Sequence, residues 1–296
     1  TVYCTGHLQL GQRKFHCWKR AGHGKVDLVK SLEQSCDVFY YEVAQRAGID
    51  KIADMARRLG LGTRHDLPMS AVTEGLAPDK QWKLAKYKKD WMIGDTLNAG
   101  IGQGYVLASP LQLAVMTARI ASGRAVTPRL VRSIDGVEQT VADLQPLGID
   151  ADILHAVRGG MYEVSNSKRG TAFSSRIADD SVRMAGKTGT SQVRNITAAE
   201  RAAGVISNDD LPWNRRDHAL FVCFAPFDDP KVAVAVVVEH GGGGSTAAAP
   251  IARDILLQAL FGRPILTFRL QLQRIHPLKR PHGTGPRAYA DQVVVA

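Results

Sequence analysis

Two unbroken apolar runs late in the chain, residues 219–225 and 232–238, the second within a strand-like stretch 231–239, constrain the fold more than any other feature. Both are rich in valine, alanine or phenylalanine and are bounded by turn formers, the pattern of strands buried in a sheet. Neither approaches the roughly 20 apolar residues that a membrane-spanning helix needs. A third strand-like run, 182–193, precedes them and carries Lys187-Thr188-Gly189-Thr190. After the second run the chain crosses a glycine cluster at 241–246 into an apolar helical stretch, 248–260, that stops at Gly262. Strands gathered late, with helical segments before and after them, indicate an α+β fold whose largely antiparallel sheet is flanked by helices.

A polar Lys-Thr-Gly triplet on a strand that heads a hydrophobic sheet has the character of an active-site edge. Glycine lets a substrate backbone approach, and lysine supplies fixed positive charge. The triplet alone is common, and a lysine at a strand end before a turn glycine accounts for it equally well. Its neighbours therefore decide its meaning.

Upstream, residues 1–24 read as an irregular loop punctuated by glycine. Helical spacing runs from Lys25 to Ala47 through Val26, Val29, Val38, Tyr41 and Ala44, and a second short helix covers 51–59 before Gly60. Residues 62–108 read as mostly loop. Ser109, Pro110 and Gln112 form an N-cap, a first-turn proline and a capping box for a helix to Ala121. A strand at 125–132 and a helix at 149–164 complete the expectation. The cluster Gly100, Gly102 and Gly104 does not follow a strand, so it reads as a turn rather than a dinucleotide loop.

The length of 296 residues with 45% hydrophobic content permits one large core or two modest domains. A net charge of +10 would suit an anionic partner. The basic residues are scattered, however, and aromatic content is only 6%, so nucleic acid is not an expected partner. The opening residues do not have the pattern of a signal peptide. The stretch 263–296 is basic, proline-containing and aperiodic, and is expected to be a tail without fixed structure.

Three of the four cysteines, Cys4, Cys17 and Cys36, fall in the first 36 residues, with His23 between the last two. Cys₃His is a complete tetrahedral donor set for zinc, although the spacing lacks the compact Cys-x-x-Cys knuckle. A Cys4–Cys17 disulfide and independent thiols remain open alternatives. His7 and His16 are reserve ligands, and Cys223, in an apolar run, reads as an inert core thiol.

Ser35-Cys36-Asp37 lies within the first helical segment. Together with Lys187-Thr188-Gly189 it resembles two of the three motifs of penicillin-binding proteins and serine β-lactamases. The block from Trp82 to Trp91, then Gly94-Asp95-Thr96, Gly100 to Tyr105, Ser109-Pro110 and Gly170-Thr171-Ala172 narrow the resemblance. As a set they look like the elongation-type class B enzymes, the penicillin-binding protein 2 family, over about residues 1–262. A β-lactamase or carboxypeptidase shares Lys-Thr-Gly but not the Trp82–Trp91 block.

That resemblance implies a transpeptidase fold incomplete at its N-terminus, a serine acyl-enzyme and peptidoglycan stem peptides and β-lactams as ligands. It also implies a place at the periplasmic face of the bacterial inner membrane beside a membrane glycosyltransferase and other elongation proteins. By position, Ser35 and Asp37 would relay and hold protons, and Lys187 would keep the local potential positive. Thr188 and Thr190 would bind a substrate carboxylate, the Thr190 N–H would serve the oxyanion hole, and Gly189 would leave room for the substrate. Family members carry a metal-type site at the place of Cys4, Cys17, His23 and Cys36, which favours zinc. The family's nucleophile and base belong to a Ser-x-x-Lys motif ahead of Ser35. The match at Ser165-Asn166-Ser167-Lys168 is in the wrong order and reads as coincidence. The chain is thus expected to be inactive alone, and a non-catalytic interaction module is the competing reading.

Overall fold

A computed structural model of the protein describes residues 1–140 and 143–262, and the expected tail 263–296 lies outside the described residues. The chain divides into two compact units, Thr1–Gly160 and Met161 onward.

The first unit begins with two small ladders where a loop is expected. β1 (Val2–Cys4) pairs antiparallel with β4 (Gly24–Val26), and β2 (His7–Leu10) pairs with β3 (Arg13–His16). The register brings Leu10 opposite Arg13, so Gly11 and Gln12 form a two-residue hairpin turn. Gly11 has φ +55°, which glycine adopts without steric cost. Cys4, Phe15, Cys17, Val26, Cys36, Val38, Phe39, Tyr41 and Leu97 form one buried cluster beneath these ladders.

The helix expected over 25–47 is broken. α1 (Leu28–Glu33) is capped by Asp27, whose carboxylate accepts the Lys30 N–H at 2.8 Å. Ser35 then adopts a left-handed backbone, φ +52°, and α2 (Asp37–Ala47) starts afresh with Cys36 at its N-cap. α3 (Ile49–Arg58) follows as expected, with Gly60 past its end.

Residues 62–108 contain two helices rather than loop alone. α4 (Lys80–Tyr87) is capped by Asp79, which accepts the Trp82 N–H at 2.8 Å. α5 (Ile93–Gly100) packs on α2. The Trp82–Trp91 block explains itself here. Lys83, with its side chain 7% exposed, bonds Asp95 at 2.5 Å, and Asp95 also caps α5 through the Met92 N–H at 2.9 Å. Trp91 Nε1–H donates to Thr96 Oγ1 at 2.8 Å. The Lys83 ammonium lies 5.8 Å from the Trp91 ring centre and 5.9 Å from that of Tyr105.

α6 (Pro110–Ser122) has the expected capping box, and the wholly buried Gln112 side chain donates to Thr63 O at 2.9 Å and Glu74 O at 2.7 Å. The strand expected at 125–132 is not formed. Instead β5 (Ser133–Ile134) and β6 (Val137–Glu138) make a short exposed ladder. α7 (Ala151–Asn166) matches the helix expected at 149–164 within two residues at each end.

The second unit is built on β7 (Ala185–Ser191), β8 (His218–Ala225) and β9 (Val232–Val238), antiparallel in the order β7-β8-β9. Phe221, Cys223, Phe224 and Ala235 in β8 and β9 are fully buried, the consequence of unbroken apolar runs. α8 (Ala198–Ala203) lies in the excursion between β7 and β8. After β9, residues Gly244–Ala248 form a wide turn into α9 (Ala249–Phe261), which packs on β8 and β9 and ends at Gly262 in a left-handed cap. The observed class is α+β with antiparallel sheets, as the residue pattern indicates. Among the described residues no helix is long and apolar enough to cross a membrane.

Candidate active site

In the second unit, Lys187, Thr188, Gly189 and Thr190 occupy β7, one of the two edge strands of the three-stranded sheet among the described residues. The expected edge strand is therefore present, though shorter than 182–193, because Asp180–Val182 form a turn of 3₁₀ helix. Lys187 Nζ donates to Thr188 O at 2.9 Å, and the Thr188 hydroxyl meets that of Thr171 at 2.8 Å. Thr171 thereby orients one of the two candidate carboxylate-binding hydroxyls, and Gly170-Thr171-Ala172 acquires a physical role. A Cβ at Gly189 would press on the Leu220 Cβ at 3.3 Å, so a glycine suits the close packing of β7 on β8 at this position.

Behind the strand, a Cβ at Gly244 would fall 2.5 Å from Gly189 O and 2.2 Å from Leu220 O. A glycine there is required for backbone to lie directly on backbone. The segment leaving β7 is pinned by Arg194, which makes a two-pronged bond to Glu200 at 2.6 and 2.7 Å. Val193 N–H donates to Asp217 Oδ1 at 3.1 Å, and Asp217 N–H to Asn208 Oδ1 at 2.9 Å. Ser165 is fully buried at the end of α7, consistent with a coincidental Ser-x-x-Lys match.

In the first unit, Ser35 and Asp37 flank Cys36 at the break between α1 and α2. The left-handed backbone at Ser35 costs about 1–3 kcal/mol and persists only where its surroundings over-determine it. Those surroundings include Ser35 N–H to Leu32 O at 3.2 Å and Cys36 N–H to Ser31 O at 3.0 Å. Trp18, a residue that sequence pattern does not single out, supplies more. Its indole N–H is shared between Gln34 O at 3.0 Å and Ser35 O at 2.9 Å, and its backbone N–H donates to Asp37 Oδ2 at 2.9 Å.

Cys4, Cys17, His23 and Cys36 converge, with donor atoms all within 4.8 Å of one another and every side chain buried. The four cysteines of the chain are free thiols, so the disulfide alternative is not realised. His23 Nδ1 lies 3.5 Å from Cys17 Sγ and 3.7 Å from Cys4 Sγ. The edges of a ZnS₃N tetrahedron with ordinary bond lengths are about 3.6 and 3.8 Å, so these spacings fit. His23 Nε2 is buried with no hydrogen-bond partner among the described residues. The reserve ligands His7 and His16 instead face each other across the β2–β3 hairpin, rings 6.2 Å apart.

One sulfur of the cluster is prepared for negative charge. A hydrogen bond from Cys36, aided by the backbone N–H groups of Lys19, Asp37 and Val38, pulls the Cys17 thiol down to about 4 against the opposing effect of burial. That same contact, with burial, pushes Cys36 far up. The pair shares one proton and titrates as a unit. Cys223 stands apart in β8, its thiol pushed up by complete burial.

The penicillin binding protein transpeptidase domain matches residues 2–257. The chain belongs to that family. Peptidoglycan D,D-transpeptidase MrdA of Haemophilus influenzae is 35% identical over 264 residues, covering 86% of this chain and 40% of that protein. The Salmonella typhimurium protein of the same name is 36% identical over 253 residues, 83% of this chain and 40% of that one. This transpeptidase-domain chain thus spans about 40% of the length of the curated relatives it matches. Among solved structures, penicillin-binding protein 2 of Pseudomonas aeruginosa in complex with WCK 5153 superposes with TM-score 0.73 at 35% identity, over 88% of this chain and 53% of that one. The complex of penicillin-binding protein 2 and MreC from Helicobacter pylori gives TM-score 0.74 at 33% identity, over 88% and 45%. The transpeptidase fold expected from the motifs is the fold observed.

Proposed function

We propose that this chain forms the Ser-x-Asp and Lys-Thr-Gly part of a serine D,D-transpeptidase that cross-links peptidoglycan stem peptides during cell elongation and binds β-lactams. The observation that carries this reading is the Lys187-Thr188-Gly189 edge strand within a family match over residues 2–257. In the reaction, a serine hydroxyl attacks the carbonyl of the penultimate D-alanine, and the ester forms as the terminal D-alanine leaves with a proton. The amine of a second stem peptide then attacks the ester and releases the serine. Ser35 passes the proton toward the leaving amine, and Asp37 holds the network. Lys187 keeps the potential positive, Thr188 and Thr190 hydroxyls bind the substrate carboxylate, and the Thr190 N–H stabilises the oxyanion. Losing one such donor costs about 3 kcal/mol in comparable enzymes.

The nucleophile and its base would come from Ser-x-x-Lys, which does not precede Ser35 in this sequence. Purified alone, the chain is expected to form no adduct with a fluorescent penicillin. Joined to a Ser-x-x-Lys segment, it is expected to label covalently, and Lys187→Ala to abolish the label. Labelling of the isolated chain, or none after joining, would favour a different nucleophile or a non-catalytic interaction module respectively.

Cys4, Cys17, His23 and Cys36 would hold a structural zinc ion, which supplies a closed four-coordinate cross-link and no reactive position. The cluster would fasten the β1–β4 entry region to the start of α2. We place the protein at the periplasmic face of the inner membrane, with its anchor outside this chain. The solved complex with MreC from Helicobacter pylori, and a similar structure of a peptidoglycan synthase complex that coordinates polymerization and crosslinking, support other cell-wall proteins as partners, and we extend that set to a membrane glycosyltransferase.

A further inference from the structure

We propose that Trp18 is a positioning residue for Ser35, its indole N–H holding the left-handed turn in the shape that proton relay requires and tying that shape to the Cys/His cluster. The inference rests on the transpeptidase reading of Ser35 and on the metal reading of the cluster.

Trp18 grips the Ser35-Cys36-Asp37 motif at both ends. The indole N–H is shared by the carbonyls of Gln34 and Ser35, at 3.0 and 2.9 Å, and the backbone N–H meets the Asp37 carboxylate at 2.9 Å. Holding the Gln34 carbonyl fixes the plane of the peptide that enters Ser35, and φ of +52° measured from that plane sets where the serine Cα–Cβ bond points; holding the Ser35 carbonyl fixes the plane of the peptide that leaves it. The bonds from Ser35 N–H and Cys36 N–H act on the amide side of the turn, and Trp18 acts on its carbonyl side.

Packing does not explain this tryptophan. It is 61% exposed, whereas a tryptophan serving the core hides its ring. Its polar tip makes the hydrogen bonds, and most of the side chain is exposed. Trp18 also follows Cys17 directly and meets the His23 ring edge-on, centroids 5.6 Å apart. Motion of either ligand is transmitted to the indole and from it to Ser35.

The test replaces Trp18 by benzothienylalanine, in which sulfur stands where the N–H was, with Trp18→Phe as a second variant. Both are made in the chain joined to a Ser-x-x-Lys segment from its own reading frame or from the Haemophilus influenzae relative. A concentration series with fluorescent penicillin separates non-covalent binding from the first-order acylation step. The acylation constant is expected to fall about tenfold or more, since small displacements of reacting groups are costly. The non-covalent constant, zinc content and unfolding temperature should match the parent. Amide exchange at Ser35 and Cys36 should quicken by a similar factor in the isostere, a readout independent of activity. Unchanged acylation and exchange in the isostere, or joint loss of binding, stability and zinc, would overturn the inference. A parent without zinc whose isostere is nevertheless slowed leaves the Ser35 role standing and removes only the metal reading. Where the parent is not acylated at all, the transpeptidase reading fails and the exchange measurement still decides whether Trp18 holds the turn.

Discussion

β8 and β9 are eight and seven residues long and nearly every side chain in them is buried or half-buried, while the ladders β1–β4 have only three or four residues each. The sheet of the second unit is held by apolar area removed from water, at roughly 25 cal/mol per Å². The entry region has too little of that. Phe15, Val26 and Leu97 contribute, but at its centre stand three thiols and an imidazole whose Nε2 is buried without a hydrogen-bond partner among the described residues, which is costly. On the zinc reading proposed above, one region is stable by composition and the other by the ion its four donors would hold.

The largest expected effect strips the donors. In a Cys17→Ser, Cys36→Ser double variant, or after chelation, elemental analysis should show the loss of about one zinc per chain. Apparent binding free energies for structural zinc are of order 10 kcal/mol, so amide protection across β1–β4 and the Ser35 turn should vanish. Protection in β8 and β9 should persist. Ladders that stay protected without metal would break the contrast. A smaller and opposite effect is expected from Phe221→Ala, at a fully buried position in β8. It should cost about 3–5 kcal/mol by urea denaturation followed on the sheet, with zinc content unchanged.

The same contrast governs how much could be read from residues alone. β8, β9, α6 and α9 are legible because each carries its signal in its own apolar run, capping box or glycine stop. The four donors are legible as a set because their chemistry does not depend on the fold. The break at Ser35 is not, since Val26, Val29, Val38, Tyr41 and Ala44 keep helical spacing straight through it. Its causes are Trp18 and Cys17, which arrive from far along the chain. α4 hides for a related reason, ending at Lys88 in a left-handed conformation without the usual glycine. Among the described residues, the short apolar pattern at 125–132 makes backbone bonds only near its ends, as in Ala125 N–H to Gln145 O and Gln139 N–H to Arg132 O, both at 2.8 Å, and so does not become a strand. The loop reading of 1–24 has less excuse, because Gly11-Gln12 between Leu8, Leu10 and Phe15 is a hairpin signal.

The smallest expected effect sharpens the contrast inside the second unit. The excursion between β7 and β8 is fastened by charge rather than burial, through Arg194 and Glu200. The Arg194 guanidinium holds the Glu200 carboxyl down at about 2, helped by the Ile206 N–H and opposed by burial. A carboxylate whose folded pKa is depressed adds stability above its unfolded value, and that stability is lost as pH falls through the folded value. The window therefore runs from about 4.5 down to about 2. Pepsin cleavage within 192–217 should rise as the pH is lowered across this window, while the β8–β9 sheet stays intact. Arg194→Ala should release the segment at the upper end of the window already, and Glu200→Gln should flatten the pH dependence. Cleavage that is independent of pH in the parent would show that the excursion, like the sheet beside it, is held by packing.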